Sequence, residues 1–260
     1  MIKLVVSDID GTLLEDGGHK LNPELFDVIL GLRKRGMQFA AASGRQWASI
    51  EAVFEPIKEK IFYLSDNGGY VGCCGRNLYL NPIDYDLVMR LAQDIRGEGL
   101  DVMLSGPDVV YMDSQDEAFY DWMVNGYKFR VKRVEDVLKV KDDFIKISAY
   151  RSTGIEPATE RIRAKYGNQL KMTISGDMWL DCMALGVNKG QAVKLIQESL
   201  NIRPEETMVF GDQLNDVEML NQAYYSFAIG NARPEVKAVA RFEADINTRD
   251  GVLKVLKLLL

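Results

Sequence analysis

Asp8 and Asp10 stand two residues apart, directly after a short apolar run, Lys3 to Ser7, and just before Gly11. Alternate side chains of an extended chain point the same way, so both carboxylates can address one substrate. Gly11 lets the backbone turn sharply behind them. An aspartate with its ordinary pKa of about 3.9 is ionised at neutral pH and attacks an electrophile without a base to activate it. Attack on phosphorus would give an acyl phosphate, which water can discharge if a second carboxyl group manages the protons. Asp10 is placed to protonate the departing alcohol and then to deprotonate water, a role worth on the order of 10²–10⁴ in rate.

Two carboxylates facing a phosphate dianion repel it, so this chemistry requires positive charge. Gly211-Asp212-Gln213-Leu214-Asn215-Asp216 follows the apolar pair Val209-Phe210 and brings two more carboxylates. Asp212 and Asp216 with Asp8 make an oxygen-only donor set, the kind that hard Mg²⁺ prefers. Lys189, at a helix start in Gly186-Val187-Asn188-Lys189-Gly190, is a point charge for the phosphate and for Asp8. Ser43, in Ala42-Ser43-Gly44-Arg45, offers a hydroxyl at another helix start, where backbone N–H groups favour anions. Asn67-Gly68 reads first as a hairpin turn, with substrate contact as a secondary role.

Other chemistries are removed by what is missing. The single histidine, His19, sits in a Gly-rich loop and receives no catalytic task, so zinc sites built on two or three histidines are excluded. No GxSxG, GxxxxGK[ST] or GxGxxG string occurs. Cys73, Cys74 and Cys182 form neither a disulfide framework nor a CxxC motif and read as packing residues. The net charge of −6, with scattered lysines and arginines, argues against nucleic-acid binding. No apolar run approaches the roughly 18 residues of a membrane span, and the absence of an export signal and of disulfides fits the cytoplasm.

The elements that must position these residues alternate strand and helix. Lys3–Ser7, Met37–Ala42 and Ile61–Leu64 read as buried parallel strands, and Asn22, Pro23 and Gly36 punctuate a helix between the first two. From about Asp84 the texture becomes α+β, with an expected antiparallel sheet and helices on one face. A helix is expected near Phe119 to Val124, and Trp179 and Tyr127 read as core aromatics rather than as a substrate platform. Alternation resumes with a helix over Gly190–Leu200 and strands at Thr207–Phe210 and Ser226–Ile229. The leucine-rich end, Val252–Leu260, reads as a docked helix. Asn81-Pro82 and Leu185-Gly186 are the expected hinges of an insert that opens to substrate.

In order, Asp-x-Asp-Gly-Thr, Ser-Gly-Arg, Asn-Gly, Asn-Lys-Gly and Gly-Asp-x-x-Asn-Asp resemble the haloacid dehalogenase superfamily, and more narrowly its Cof-type phosphatases of subclass IIB. The resemblance implies a Rossmann-like, doubly wound parallel-sheet α/β core over 1–83 and 186–260, with an inserted α+β cap over 84–185. It implies Asp8 as nucleophile and Asp10 as acid/base. The Mg²⁺ ligands it implies are Asp8, Asp10 through its backbone carbonyl, and Asp212, with Asp216 in support. Thr12, Ser43, Gly44, Asn67, Lys189 and Asn215 would bind phosphate or substrate. Asp181 departs from the pattern, since similar proteins often carry glutamate there. The expected substrate is a small phosphate monoester such as a sugar phosphate. A phosphomutase and a non-catalytic phospho-metabolite sensor stay open as alternatives, and neither the oligomeric state nor the identity of the ester follows.

Overall fold

The computed structural model describes all residues except Asp16, Gly17, His19 and Gly176, and Ser175 through its backbone alone. His19 and the task withheld from it therefore lie outside the described residues. Along the chain come β1 (Leu4–Asp8), α1 (Pro23–Lys34), β2 (Gln38–Ala42), α2 (Trp47–Val53), β3 (Phe62–Ser65), β4 (Tyr70–Cys73) and β5 (Arg76–Leu80). Next are α3 (Tyr85–Gly97), β6 (Asp101–Ser105), β7 (Val110–Met112), α4 (Glu117–Asp121), β8 (Val131–Arg133), β9 (Lys146–Tyr150), α5 (Glu156–Tyr166), β10 (Leu170–Ser175) and β11 (Trp179–Ala184). The chain ends with α6 (Lys189–Leu200), β12 (Thr207–Gly211), α7 (Val217–Leu220), β13 (Tyr225–Ile229), α8 (Pro234–Val239), β14 (Phe242–Ala244) and α9 (Gly251–Lys257). Two compact units result, one from 1–79 with 188–260 and one from 80–187.

The first unit is built on an eight-stranded sheet in the order β14-β13-β12-β1-β2-β3-β4-β5. The pairs from β14 to β3 are parallel, and β4 runs antiparallel to β3. Both faces are covered, as a parallel sheet requires. Val5 points into a core shared with Leu25, Ile29 and Leu32 of α1 and Leu253 and Leu256 of α9, whereas Leu4 and Val6 face Val193 and Ile196 of α6. This is the doubly wound α/β arrangement. Asn22 caps α1 by accepting from the Glu24 N–H at 3.0 Å, and Gly36 takes φ +84° just after the helix ends.

The second unit has a six-stranded sheet, β10-β11-β9-β6-β7-β8. Two features differ from the sequence expectation. The β7–β8 pair is parallel, so the sheet is mixed. Helices also lie on both faces. Val102, Leu104, Ile147 and Leu180 pack against α3 and α5, while Met103, Val110 and Met112 pack against Phe119 of α4 and Met123. Strand alternation explains this: Val102 and Leu104 of β6 point to one side, and Met103 of β6 with Val110 and Met112 of β7 to the other. The segment read as one helix near Phe119–Val124 is α4 followed by a π-helical turn, Trp122–Gly126. The aromatics are packed here: Phe119 stacks on Tyr150 at 4.2 Å, Tyr150 meets Trp179 at 4.7 Å, and Trp122 meets Tyr127 at 5.2 Å. Asp181 accepts from Ser148 Oγ at 2.6 Å across neighbouring strands. Among the described residues no helix is long and apolar enough to cross a membrane.

Candidate active site

Four neighbouring strands of the parallel sheet, β12, β1, β2 and β3, release their C-terminal ends on one edge, the usual place for a ligand in an open α/β sheet. Asp8 is the last residue of β1, Asp212 follows β12, Ser43 follows β2, and Asn67 lies in the turn after β3. Lys189 is the first residue of α6, whose N-cap, Asn188, accepts from the Gln191 N–H at 2.8 Å.

Three carboxylates meet around this lysine. Lys189 Nζ donates to Asp8 Oδ1 at 2.5 Å and to Asp216 Oδ1 at 2.6 Å. Oxygens of Asp8, Asp212 and Asp216 all lie within 4.8 Å of one another, and all three residues are buried. The backbone N–H groups of Asp212 and Gln213 each donate to Asp216 Oδ2 at 2.9 Å, which fixes that carboxylate. Thr12 Oγ1 donates to Asp212 Oδ1 at 2.7 Å, and Gln213 Nε2 donates to Asp212 Oδ2 at 3.1 Å. Thr12 thus reaches the cluster through Asp212. Gly11, at φ +83°, is required twice over: the conformation is left-handed, and a Cβ would stand 2.3 Å from Asp212 Oδ2.

Burial changes the charges that the sequence suggests. Asp8 does not keep ordinary acidity: burial and then the Asp216 charge raise its pKa well above the carboxylate range, against the pull of Lys189. Burial alone would lower the Lys189 pKa, but Asp216 and Asp8 outweigh it and hold the ammonium charged. Asp212 is pushed up to about 6, chiefly by burial, with the Thr12 hydrogen bond opposing and Asp216 adding to the rise. One ammonium does not balance three carboxylates. In addition, Asp8 Oδ2 is buried without a hydrogen-bond partner among the described residues. An oxygen-rich pocket with an unmet acceptor and excess negative charge fits a hard divalent cation.

The remaining site residues fall into two further groups. Asn215 Nδ2 donates to Asn67 Oδ1 at 3.0 Å, and Asn67 takes φ +55° in the tight turn between β3 and β4. A Cβ on Gly44 would stand 3.3 Å from Asn67 Nδ2, so glycine lets that amide approach. Ser43 Oγ accepts from the Arg45 N–H at 3.1 Å, which leaves its own proton to donate. Asp10, by contrast, does not join the acidic cluster through its side chain. Arg45 grips it with two bonds, Nε to Oδ2 at 2.8 Å and Nη2 to Oδ1 at 2.5 Å. Arg45 is buried and received no role in the sequence reading. Its place in Ser-Gly-Arg, 35 residues from the first motif, was the available signal.

A family model described as haloacid dehalogenase-like hydrolase matches residues 5–256. The chain is 28% identical over 258 residues to the Escherichia coli (strain K12) 5-amino-6-(5-phospho-D-ribitylamino)uracil phosphatase YbjI, covering 98% of this chain and 95% of that protein. A crystal structure from Eubacterium rectale superposes with TM-score 0.93 at 33% identity, covering 100% of this chain and 99% of the other. The fold is also shared with the subclass IIB sugar phosphatase BT4131, at TM-score 0.83 and 23% identity over 99% and 98% of the two chains. The chain belongs to the haloacid dehalogenase-like hydrolase family, and it is an enzyme of the phosphatase type.

Proposed function

We propose that this enzyme hydrolyses small phosphate monoesters in a Mg²⁺-dependent reaction that passes through an aspartyl-phosphate on Asp8. The observation that carries the reading is the buried trio Asp8, Asp212 and Asp216 around Lys189, with one Asp8 oxygen unpartnered. Asp8, Asp212 and the Asp10 backbone carbonyl would hold the cation, with Asp216 in support. When bound, Mg²⁺ orients the phosphoryl group and shields its charge against the carboxylates.

Asp8 attacks phosphorus, the ester P–O bond breaks, and protonated Asp10 gives its proton to the departing alkoxide. Asp10 then takes a proton from water, whose oxygen attacks phosphorus as the bond to Asp8 breaks, so that inorganic phosphate leaves and both aspartates are restored. Ser43, Asn67, Asn215 and Lys189 supply donors to the phosphoryl oxygens, where positioning and electrostatic stabilisation do most of the catalysis. Arg45 binds both oxygens of Asp10, so this pair must loosen before the Asp10 carboxyl can reach the leaving group or water. Arg45 is therefore a positioning residue. The unit of 1–79 and 188–260 carries the chemistry, and the unit of 80–187 is the cap that selects the leaving group. The substrate class is a phosphate ester of a small sugar or polyol, in keeping with the phosphoribityl compound in the name of the Escherichia coli relative. The enzyme works in the cytoplasm.

Phosphate release from a panel of sugar and polyol phosphates tests this directly. Turnover should appear with Mg²⁺ and disappear with a chelator. Release that survives the chelator, or that is undiminished in Asp8→Asn, would overturn the proposal.

A further inference from the structure

The turn that joins β4 to β5 brings two thiols together in a way the acidic site does not use. Successive residues of an extended strand point to opposite faces, which ordinarily keeps adjacent cysteine sulfurs apart. Here Cys73 ends β4, and Cys74 and Gly75 both take positive φ, +55° and +68°, so the chain reverses in two residues. Left-handed conformations at both central positions mark a type I′ turn, whose first place is normally filled by Asn, Asp or Gly. Cysteine is strained there. Its effect is convergence: Cys73 Sγ lies 3.2 Å from Cys74 Sγ, and the Cys74 thiol donates to the Glu59 carbonyl at 3.1 Å. Cys74 is exposed and Cys73 half-buried, whereas Cys182 is wholly buried in the other unit. Cys73 pairs with Phe62, at the opposite end of the β3–β4 hairpin from Asn67, so no residue of the acidic site takes part.

We propose that Cys73 and Cys74 form a chelating site for a trivalent arsenical. Competing uses of the pair fit less well. Consecutive Cα atoms are about 3.8 Å apart, inside the lower limit of about 4.4 Å for ordinary disulfides, so a bond between the two sulfurs would be strained and easily reduced. The dithiol is the resting form. Tetrahedral zinc with bonds of about 2.3 Å would spread two sulfurs to roughly 3.8 Å and would require further ligands. Among the described residues the grouping of potential metal ligands is the acidic trio, not this turn. A linear two-coordinate ion would spread the sulfurs further still. Pyramidal arsenic, with bonds near right angles, takes a close pair and leaves its third position to an organic or hydroxyl group.

Protonation favours the same ligand class. Burial, and then the hydrogen bond with Cys74, push the Cys73 thiol up to about 12, so it is neutral at physiological pH. A metal ion would have to displace that proton into solution. With an arsenical, the proton leaves on oxygen: phenylarsine oxide loses its As–O bond, gains two As–S bonds and releases both thiol protons as one water, with no change of oxidation state.

Phenylarsine oxide titrated against the reduced, full-length protein tests the site, with intact mass and Ellman-reactive thiols counted after unfolding in denaturant as readouts. One equivalent should bind, abolish two reactive thiols, and be removed by a dithiol but not by an equal concentration of monothiol. Cys73→Ser and Cys74→Ser should each weaken binding by about 10²–10⁴-fold, because the second bond is intramolecular only in the pair. Cys182→Ala should bind like the parent, and if either serine variant fails to fold, thiol counting on the parent still decides. Equal binding in both serine variants, an adduct on Cys182, or two thiols still reactive after one equivalent would overturn the proposal. A count of one thiol rather than three before any arsenical is added, with reductant removed, would overturn the resting dithiol and the proposal with it.

Discussion

The unit of 1–79 and 188–260 buries Asp8, Lys189, Asp212 and Asp216 together at one sheet edge, whereas two ion pairs of the unit of 80–187, Arg161–Glu98 and Lys165–Asp94, stand at its surface. There Arg161 meets Glu98 at 2.6 Å, Lys165 meets Asp94 at 2.5 Å, and each partner keeps water around it. Hydrated pairs cost little and contribute little. Buried charges lose their solvation, and three carboxylates about one ammonium leave part of that loss uncompensated. A sheet edge loaded in this way destabilises its own unit, which is expected where the arrangement serves binding and chemistry.

The comparison can be broken first at Asp8. Asp8→Asn should lower turnover on the order of 10⁴-fold or more, as loss of a nucleophile does, while removing one of three crowded charges. Thermal melting of the metal-free variant should therefore be no lower than that of the parent; a large drop would mean that the cluster holds the fold rather than the substrate. Asp10→Asn comes next, with a loss of about 10²–10⁴-fold in phosphate release and little change in melting. Arg45→Ala should lower kcat with little change in KM, because it frees the acid/base carboxyl from its held position, and a purely structural arginine would not split the two in this way.

Lys189→Met leaves Asp8 and Asp216 without their shared cation and should cost about 3–5 kcal/mol in denaturant unfolding without metal. Arg161→Ala, made on the exposed pair, should give no resolvable change, and equal effects would erase the contrast between the units. A further effect concerns pH. Asp212 titrates near 6 in the folded protein against an unfolded value of 3.8. Above both values the charged carboxylate carries its full folded-state penalty. As pH falls from about 6 towards 4 the folded form takes up a proton that the unfolded form does not, so metal-free stability should rise relative to Asp212→Asn. Metal affinity should fall over the same window, because proton and cation compete for one carboxylate.

Much of the site was readable because its residues are tied to element ends. Asp8 ending β1, Lys189 opening α6 and Asp212 after β12 follow from strand and helix punctuation that local composition reveals. What escaped depends on tertiary surroundings. The Arg45–Asp10 pair joins loops that only the folded sheet brings together, and the raised Asp8 pKa reflects burial that no single residue type announces. β14 is three residues long with Phe242 and Glu243 exposed, and β8 is equally short, so neither gives a periodic signal. The two-sided packing of the insert was missed because Met103, Val110 and Met112 look like any strand core until Phe119 is seen on their face. The proximity of Cys73 and Cys74 required the left-handed turn at Cys74, where sequence favours Asn or Gly.

The central claim is that Asp8 becomes covalently phosphorylated. A single turnover of a phosphate-labelled sugar ester with Mg²⁺, stopped in acid within the first moments and mapped by peptide mass spectrometry, tests it most directly. The label should be found on Asp8, should decay as inorganic phosphate appears, and should be absent from Asp8→Asn. Rapid phosphate release with no label on Asp8 at any time point, or label on a different side chain, would contradict the account.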